Sequence, residues 1–358
     1  MTLSVCLIVR DEQAVIARCL SCVKKFADEI IIVDTGSTDA TVEAARKFTD
    51  KIYFFEWRDD FSAARNFAFE KASGDYLMWL DADDVVPDNS CKKIRRLLRG
   101  ADFDMAYLPY AVAFDDGVPT FEYYRERIVK NGAGFRFEGA VHEAVSPNGK
   151  TVYCDARIEH KKLKASAPLR NLNIYQKQIA RGICLDERAK FYYGRELYYN
   201  KMYSESIAVL EDFLLGNGWT ENKIEACLNL FYAYSALNRT EKAYSSLLKS
   251  FLYAPPRSEA CCLLGEKFLL ANDVNSAIYW YQSALTAENG ERAGAFVNRD
   301  YCGFIPNMQL CVLYDRLGDY KRAYAYNQEA GKQKPQNANY LSNKKYFEEI
   351  RGVLPNEQ

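Results

Sequence analysis

Three carboxylates fall within four positions at Asp81-Ala-Asp-Asp84, directly after the apolar run Tyr76-Leu-Met-Trp-Leu80. In an extended segment the side chains of Asp81 and Asp83 project to one side and Ala82 to the other. Such a pair suits a divalent cation, because magnesium and manganese prefer carboxylate and water oxygens and bridge ligand phosphates. Other polar clusters stand in the same setting. Arg10-Asp-Glu12, Asp34 to Asp39 and Trp57-Arg-Asp-Asp60 also follow apolar runs. The first half contains no GxGxxG and no GxxxxGK[ST], so it has no glycine cradle to wrap a pyrophosphate in backbone N–H groups. A cation held on carboxylates remains as a way to neutralise one.

The elements that would position these groups alternate in type. Leu3–Val9 and Glu29–Val33 are apolar runs suited to strands buried on both faces. Helical spacing follows each, from Asp11 to about Lys25 and then to Phe48, with Thr38 placed to cap the second helix. Lys51–Trp57 reads as a third strand, Phe61–Lys71 as a third helix and Tyr76–Leu80 as a fourth strand. This alternation predicts crossovers and an α/β fold with a mostly parallel sheet. Function gathers outside the carboxyl ends of such strands, which is where the polar clusters lie. Further strands are expected at Asp104–Ala113, Arg125–Lys130 and Val152–Ile158, the last running into Glu159-His-Lys-Lys162.

Composition narrows the class. The 358 residues suffice for two domains, and 47 basic against 48 acidic residues argue against a nucleic-acid binder working through bulk electrostatics. Two histidines cannot build a multi-histidine metal site, and eleven scattered cysteines, an odd count in a chain long enough to need no disulfide framework, read as reduced thiols. The first apolar run stops at Val9, too short for a signal peptide or a membrane span. The expected location is cytoplasmic, with peripheral contact at the inner face of the membrane allowed.

Four blocks then carry a resemblance: "SVCLIVRDEQAVIARCL", "DEIIIVDTGSTDAT", "WRDDFSAARNFAFEKASGDYLMWLDADD" and "FRFEGAVHEAV". Together they resemble family 2 glycosyltransferases of the GT-A (Rossmann-like) fold. The subgroup includes lipopolysaccharide-core-type glucosyltransferases and bacteriocin-modifying S-glycosyltransferases with helical-repeat tails. The resemblance implies inverting transfer from a nucleotide sugar, a UDP-sugar by expectation, with Mg2+ or Mn2+. It places Val9, Arg10, Glu12 and Asp34 at the nucleoside and Asp81, Ala82 and Asp83 at the metal and diphosphate. Arg65 falls near the diphosphate or locks the acidic loop, with Asn66 close by. His142 resembles a metal or diphosphate ligand at the reaction centre, and Glu143 and Glu138 are candidates for the base. The family often has Gly or Tyr after the later histidine; lysines stand there in this chain, which counts against a catalytic role for His160.

From about Ala189 the chain gains Ala, Leu, Tyr and Glu in a pattern of helix pairs. Ser206, Ala243, Ala277 and Ala323 occupy one equivalent position, separated by 37, 34 and 46 residues. Gly194, Phe231, Gly265 and Cys311 each stand twelve residues earlier. The features resemble tetratricopeptide repeats of period about 34, with an insertion around Glu288–Phe304. The expected organisation is a catalytic domain over 1–165, a linking helical segment over 166–188, repeats over 189–345 and a tail over 346–358. A repeat array offers a face to a partner, here an acceptor peptide or a second copy of the chain. The leading reading is transfer of a hexose to a Ser, Thr or Cys side chain of a peptide such as a bacteriocin precursor. A saccharide or lipid-linked saccharide acceptor is the alternative within the enzyme class. An inactive repeat-based interaction protein is the alternative outside it.

Overall fold

The computed structural model describes residues 1–115, 117–163, 169–290 and 294–353. It divides into two compact units, Met1–Gly117 with Glu122–Trp219 and Val118–Phe121 with Thr220–Gln358. The expected 165/166 boundary lies outside the described residues, as do the last five residues of the expected tail. The main division falls at 219/220.

The first unit is built on β1 (Leu3–Val9), α1 (Ile16–Val23), β2 (Glu29–Asp34), α2 (Thr41–Arg46), β3 (Ile52–Phe54), α3 (Phe61–Glu70), β4 (Tyr76–Leu80), β5 (Asp84–Val85) and α4 (Asp88–Arg99). Then come β6 (Met105–Asp115), β7 (Val118–Lys130), β8 (Phe137–Glu138), β9 (Ala144–Val145), β10 (Thr151–Tyr153) and β11 (Ile158–His160). The large sheet runs β3-β2-β1-β4-β7-β6-β11-β5, with β10 also on β6. The four strands read first are parallel, while β4/β7 and β11/β5 are antiparallel. β1 and β4 lie inside the sheet and bury nearly every side chain, hence their continuous apolar sequence.

Register sets the functional edge. Val9 pairs with Asp34, Asp34 with Phe54, and Leu7 with Leu80, so the carboxyl ends of β1 to β4 finish together. α1 covers the sheet with Ile16, Cys19, Leu20 and Val23, the i, i+3, i+4, i+7 stripe of an amphipathic helix. α3 starts where Asp60 accepts a hydrogen bond from the Ala63 N–H at 2.9 Å.

Three details depart from the sequence reading. α2 begins at Thr41 with no side-chain cap, and Thr38 instead donates its N–H to Asp11 Oδ1. β3 is shorter than expected. The expected strand at 152–158 is two strands, because four residues lie between Tyr153 and Ile158 while two lie between their partners Tyr107 and Tyr110. The surplus bulges out and re-aims the chain before His160.

Helices α5 (Arg170–Ala180), α6 (Glu187–Tyr199) and α7 (Tyr203–Leu215) complete this unit. In the second unit α8 (Thr220–Ala236) pairs with α9 (Thr240–Lys249), α10 (Ser258–Leu270) with α11 (Val274–Thr286), and α12 (Phe304–Arg316) with α13 (Tyr320–Gln333). α14 (Ala338–Lys345) packs on α13. The helix-pair reading holds at its anchor points. Ser206, Ala243, Ala277 and Ala323 are each fully buried. A Cβ at Gly194 would meet Leu210, and one at Gly265 would meet Tyr281, which is why small residues recur where the paired helices touch. All eleven cysteines are free thiols. Among the described residues no helix is long and apolar enough to cross a membrane.

Candidate functional site

β4 carries the chain through the core and releases it at Asp81. Asp81, Asp83, Asp84 and His160 converge there, each offering one ligand atom, all within 4.8 Å of one another. His160 arrives on β11, paired directly opposite Asp84 of β5. Its Nδ1 lies 3.2 Å from Asp83 Oδ1 and 3.2 Å from Asp84 Oδ1. Arg18 fastens the two segments from below, donating to the Asp83 and Lys161 carbonyls at 3.3 and 2.6 Å.

Asp84 anchors the group from inside. It is fully buried, accepts from the Tyr110 hydroxyl at 3.0 Å and the Asp81 N–H at 3.0 Å, and faces the equally buried Arg127 at 3.4 Å. Burial disfavours a charged imidazole at His160, but the hydrogen bonds to Asp83 and Asp84 outweigh it and push the pKa up to about 10. Burial alone would raise the Asp81 carboxyl; the Arg65 and Arg127 guanidiniums hold it well below the usual carboxylate range instead.

Arg65, on the buried face of α3, ties this group to the VHE segment. Its Nη2 donates to Asp81 Oδ1 and its Nε to Glu143 Oε1, both at 2.6 Å. The guanidinium lies over the Trp79 ring at 4.5 Å, and Nη1 is buried without a partner. Arg65 thus bridges the acidic loop and the VHE segment and keeps one guanidinium nitrogen over.

His142 is not one of the four converging groups. It takes a left-handed backbone at φ 53°. Its ring stacks on Tyr192 of α6 with centroids 4.3 Å apart, and its Nε2 lies 2.7 Å from Glu196 Oε1. Asn171 of α5 donates to the same Glu196 oxygen at 2.9 Å, while Arg188 donates to the His142 carbonyl at 3.1 Å. The histidine that joins the aspartates is therefore His160, not the expected His142. His142 instead commits its Nε2 to the Glu196 carboxylate of α6.

The remaining expected residues divide. Val9 is buried, Arg10 exposed and Glu12 half-buried at the tip of β1. Asp34 closes β2 with its carboxylate accepting from the Gly36 and Ser37 N–H groups at 3.2 Å. Gly36 sits at φ 102°, a turn that glycine permits. Ala82 is buried in the core. Asn66 is spent on the fold: its amide brackets the Phe137 backbone with bonds of 2.9 and 2.8 Å. Glu138 is exposed and accepts from Ser146 at 3.2 Å.

Two members of the group lie outside the expected ligand set. Asp84 is the third carboxylate of the DADD run. The lysines after His160 count against it in the sequence, yet they lie beyond the last pairing of β11 and do not decide where the ring points. Glu196 gave no local signal, since only the tertiary path of α6 brings it to His142.

Three carboxylates and an imidazole are oxygen and nitrogen donors of the kind that hold Mg2+ or Mn2+. The buried, unpartnered Nη1 of Arg65 beside them is a donor suited to an anionic oxygen. Residues 4–157 match the model of glycosyl transferase family 2. A TPR repeat-containing protein of Synechococcus elongatus is 37% identical over 148 residues, 40% of this chain and 35% of that one. The SPbeta prophage-derived glycosyltransferase SunS of Bacillus subtilis is 32% identical over 149 residues, 40% of this chain and 34% of that one. The lipopolysaccharide core biosynthesis glycosyltransferase LpsC of Rhizobium meliloti is 28% identical over 163 residues, 42% of this chain and 58% of that one. The matched segment thus spans about a third of the first two relatives.

Proposed function

We propose that this chain is a metal-dependent, inverting glycosyltransferase that moves a hexose from a UDP-sugar to a Ser, Thr or Cys side chain of a peptide. One observation carries the reading: Asp81, Asp83, Asp84 and His160 converge at the common edge of the parallel strands, beside a buried guanidinium with a spare donor. Asp81, Asp83 and His160 would hold Mg2+ or Mn2+, with Asp84 fixed behind them by Arg127. Bound there, the cation would supply charge neutralisation for the departing diphosphate.

This chain's own residues do the rest. Asp34 and the turn after it, with Arg10 and Glu12, form the polar rim at the ends of β1 and β2 for the nucleoside. Arg65 presents Nη1 toward anionic oxygen while keeping Asp81 and Glu143 in place. Attack from the face opposite the leaving group inverts the anomeric centre and needs one base, supplied by the 138–143 segment. The helix pairs of the second unit support a peptide acceptor, because an extended helical face can offset the ordering cost of a flexible chain.

A saccharide acceptor is the second reading, favoured by the likeness to the lipopolysaccharide-core enzyme. Incubation of the full chain with a panel of UDP-sugars and Mn2+ tests both. UDP release stimulated by Ser-, Thr- or Cys-containing peptides supports the proposal, and stimulation by saccharides alone supports the second reading. No UDP release under any condition would leave only an inactive interaction protein.

A further inference from the structure

We infer that His142 and Glu196 form a base dyad, in which helix α6 supplies the carboxylate that orients His142 to take the acceptor's proton. The inference rests on the glycosyl-transfer reading above and names the base within it. Glu196 Oε1, 2.7 Å from Nε2, fixes the proton on that nitrogen and leaves the Nδ1 lone pair as the acceptor. Asn171 pins the same carboxylate oxygen, Tyr192 stacks on the ring, and Arg188 grips the His142 carbonyl. An imidazole held on three sides by one helix and its neighbour, on a left-handed backbone, is oriented well beyond what packing a loop requires.

The other two candidates are placed less well. Glu143 Oε1 accepts from the buried Arg65, so protonating it would remove one of the two carboxylates that balance that guanidinium. Glu138 is exposed and nothing fixes it but a serine hydroxyl. His142 faces Glu196, Arg195 and Arg188 from α6 and Glu143 from its own segment. Burial lowers its pKa below the ordinary imidazole value, with the Glu196 hydrogen bond and charge opposing, so the ring is neutral, as a base must be. In the step, the acceptor O–H or S–H attacks the anomeric carbon and its proton passes to Nδ1. The carbon–oxygen bond to the diphosphate breaks and its electron pair leaves with the nucleoside diphosphate. The imidazolium, stabilised by Glu196, then returns the proton to solvent.

The test uses the full chain with UDP-glucose and UDP-N-acetylglucosamine, Mn2+, and water as the acceptor, following UDP release against pH. UDP affinity is measured separately by calorimetry. His142→Asn tolerates the left-handed backbone and should lower kcat by about 100-fold or more, with UDP–Mn2+ affinity within threefold. Glu196→Gln keeps an acceptor for Nε2 but removes the charge that favours the imidazolium. Its acid limb should therefore move to lower pH by about one unit, with kcat reduced about tenfold. A merely structural Glu196 would change the melting temperature and leave that limb in place. An unmoved limb in Glu196→Gln, loss of UDP–Mn2+ affinity in His142→Asn, or loss of the limb in Glu143→Gln would each overturn the dyad while the transfer reading stands. Absence of UDP binding or release by the unaltered protein would overturn the transfer reading, and the dyad with it.

Discussion

Arg65 holds Asp81 at 2.6 Å through Nη2, so a carboxylate expected to bind a cation is already paired with a buried guanidinium. The same guanidinium holds Glu143, and its removal would strand two charges at once. Arg65→Met should destabilise the first unit by about 3 kcal/mol or more, the usual cost of breaking a buried pair from one side. Arg65→Lys keeps the charge but cannot reach both carboxylates with a planar fork, and should fall between. Denaturant unfolding of the three proteins side by side checks the order.

The adjacent aspartates Asp83 and Asp84 should separate by phenotype. Asp84 and Arg127 are both fully buried, so Asp84→Asn leaves an uncompensated charge and should cost about 3–5 kcal/mol. Asp83 keeps part of its side chain in solvent and holds no buried arginine. Asp83→Asn should fold nearly normally yet lose the Mn2+-dependent part of UDP binding, which calorimetry with and without the metal measures. Equal UDP affinity in both conditions would remove Asp83 from the cation set.

His142 at φ 53° makes a backbone prediction independent of its ring. Both His142→Gly and His142→Ala remove the imidazole, but glycine enters the left-handed region without steric cost. The glycine variant should be the more stable by about 1 kcal/mol. Equal unfolding midpoints would show that the loop relaxes once the stack on Tyr192 is gone.

Glu259, on α10 of the second unit, is raised to about 7 by burial, with the nearby Glu225 adding and the hydrogen bond from Tyr232 opposing. A carboxyl whose pKa rises on folding binds its proton more tightly in the folded state. Stability therefore falls as pH climbs from about 4.5 to about 7, and the penalty, about 3 kcal/mol, is complete above that window. Glu259→Gln should flatten the dependence and be the more stable form at pH 8. Chemical denaturation at pH 5 and pH 8 reads the difference.

What could be read beforehand follows from how local each signal is. β1, β2 and β4 are legible because strands buried on both faces must be apolar throughout, and the shared edge follows from parallel pairing. The small residues at Gly194 and Ser206 are legible because two helix backbones can approach only there, as the 2.8 Å bond from the Ser206 hydroxyl to the Gly194 carbonyl displays. The cation group is half legible. Asp81, Asp83 and Asp84 are contiguous, but His160 reaches them only through a sheet pairing 76 residues away. Glu196 is not legible at all: it reads as an ordinary helix glutamate until α6 is laid against His142. The exchange of one histidine for the other has the same cause, since neighbouring residues along the chain do not say which carboxylate a ring will meet.

The short ladder between β5 and β11 fixes where insertions can be tolerated. Only Glu159 and His160 pair with Val85 and Asp84, so the identity of the residue beside the aspartates depends on a two-position alignment. Lengthening the chain by one residue between Tyr153 and Ile158 would threaten to bring Glu159 opposite Asp84 and turn the imidazole to the other face. A fourth carboxylate would then meet three others in place of the imidazole. Length in that bulge is consequently constrained as tightly as sequence, and homologous chains that keep this chemistry should vary there by substitution rather than by gaps.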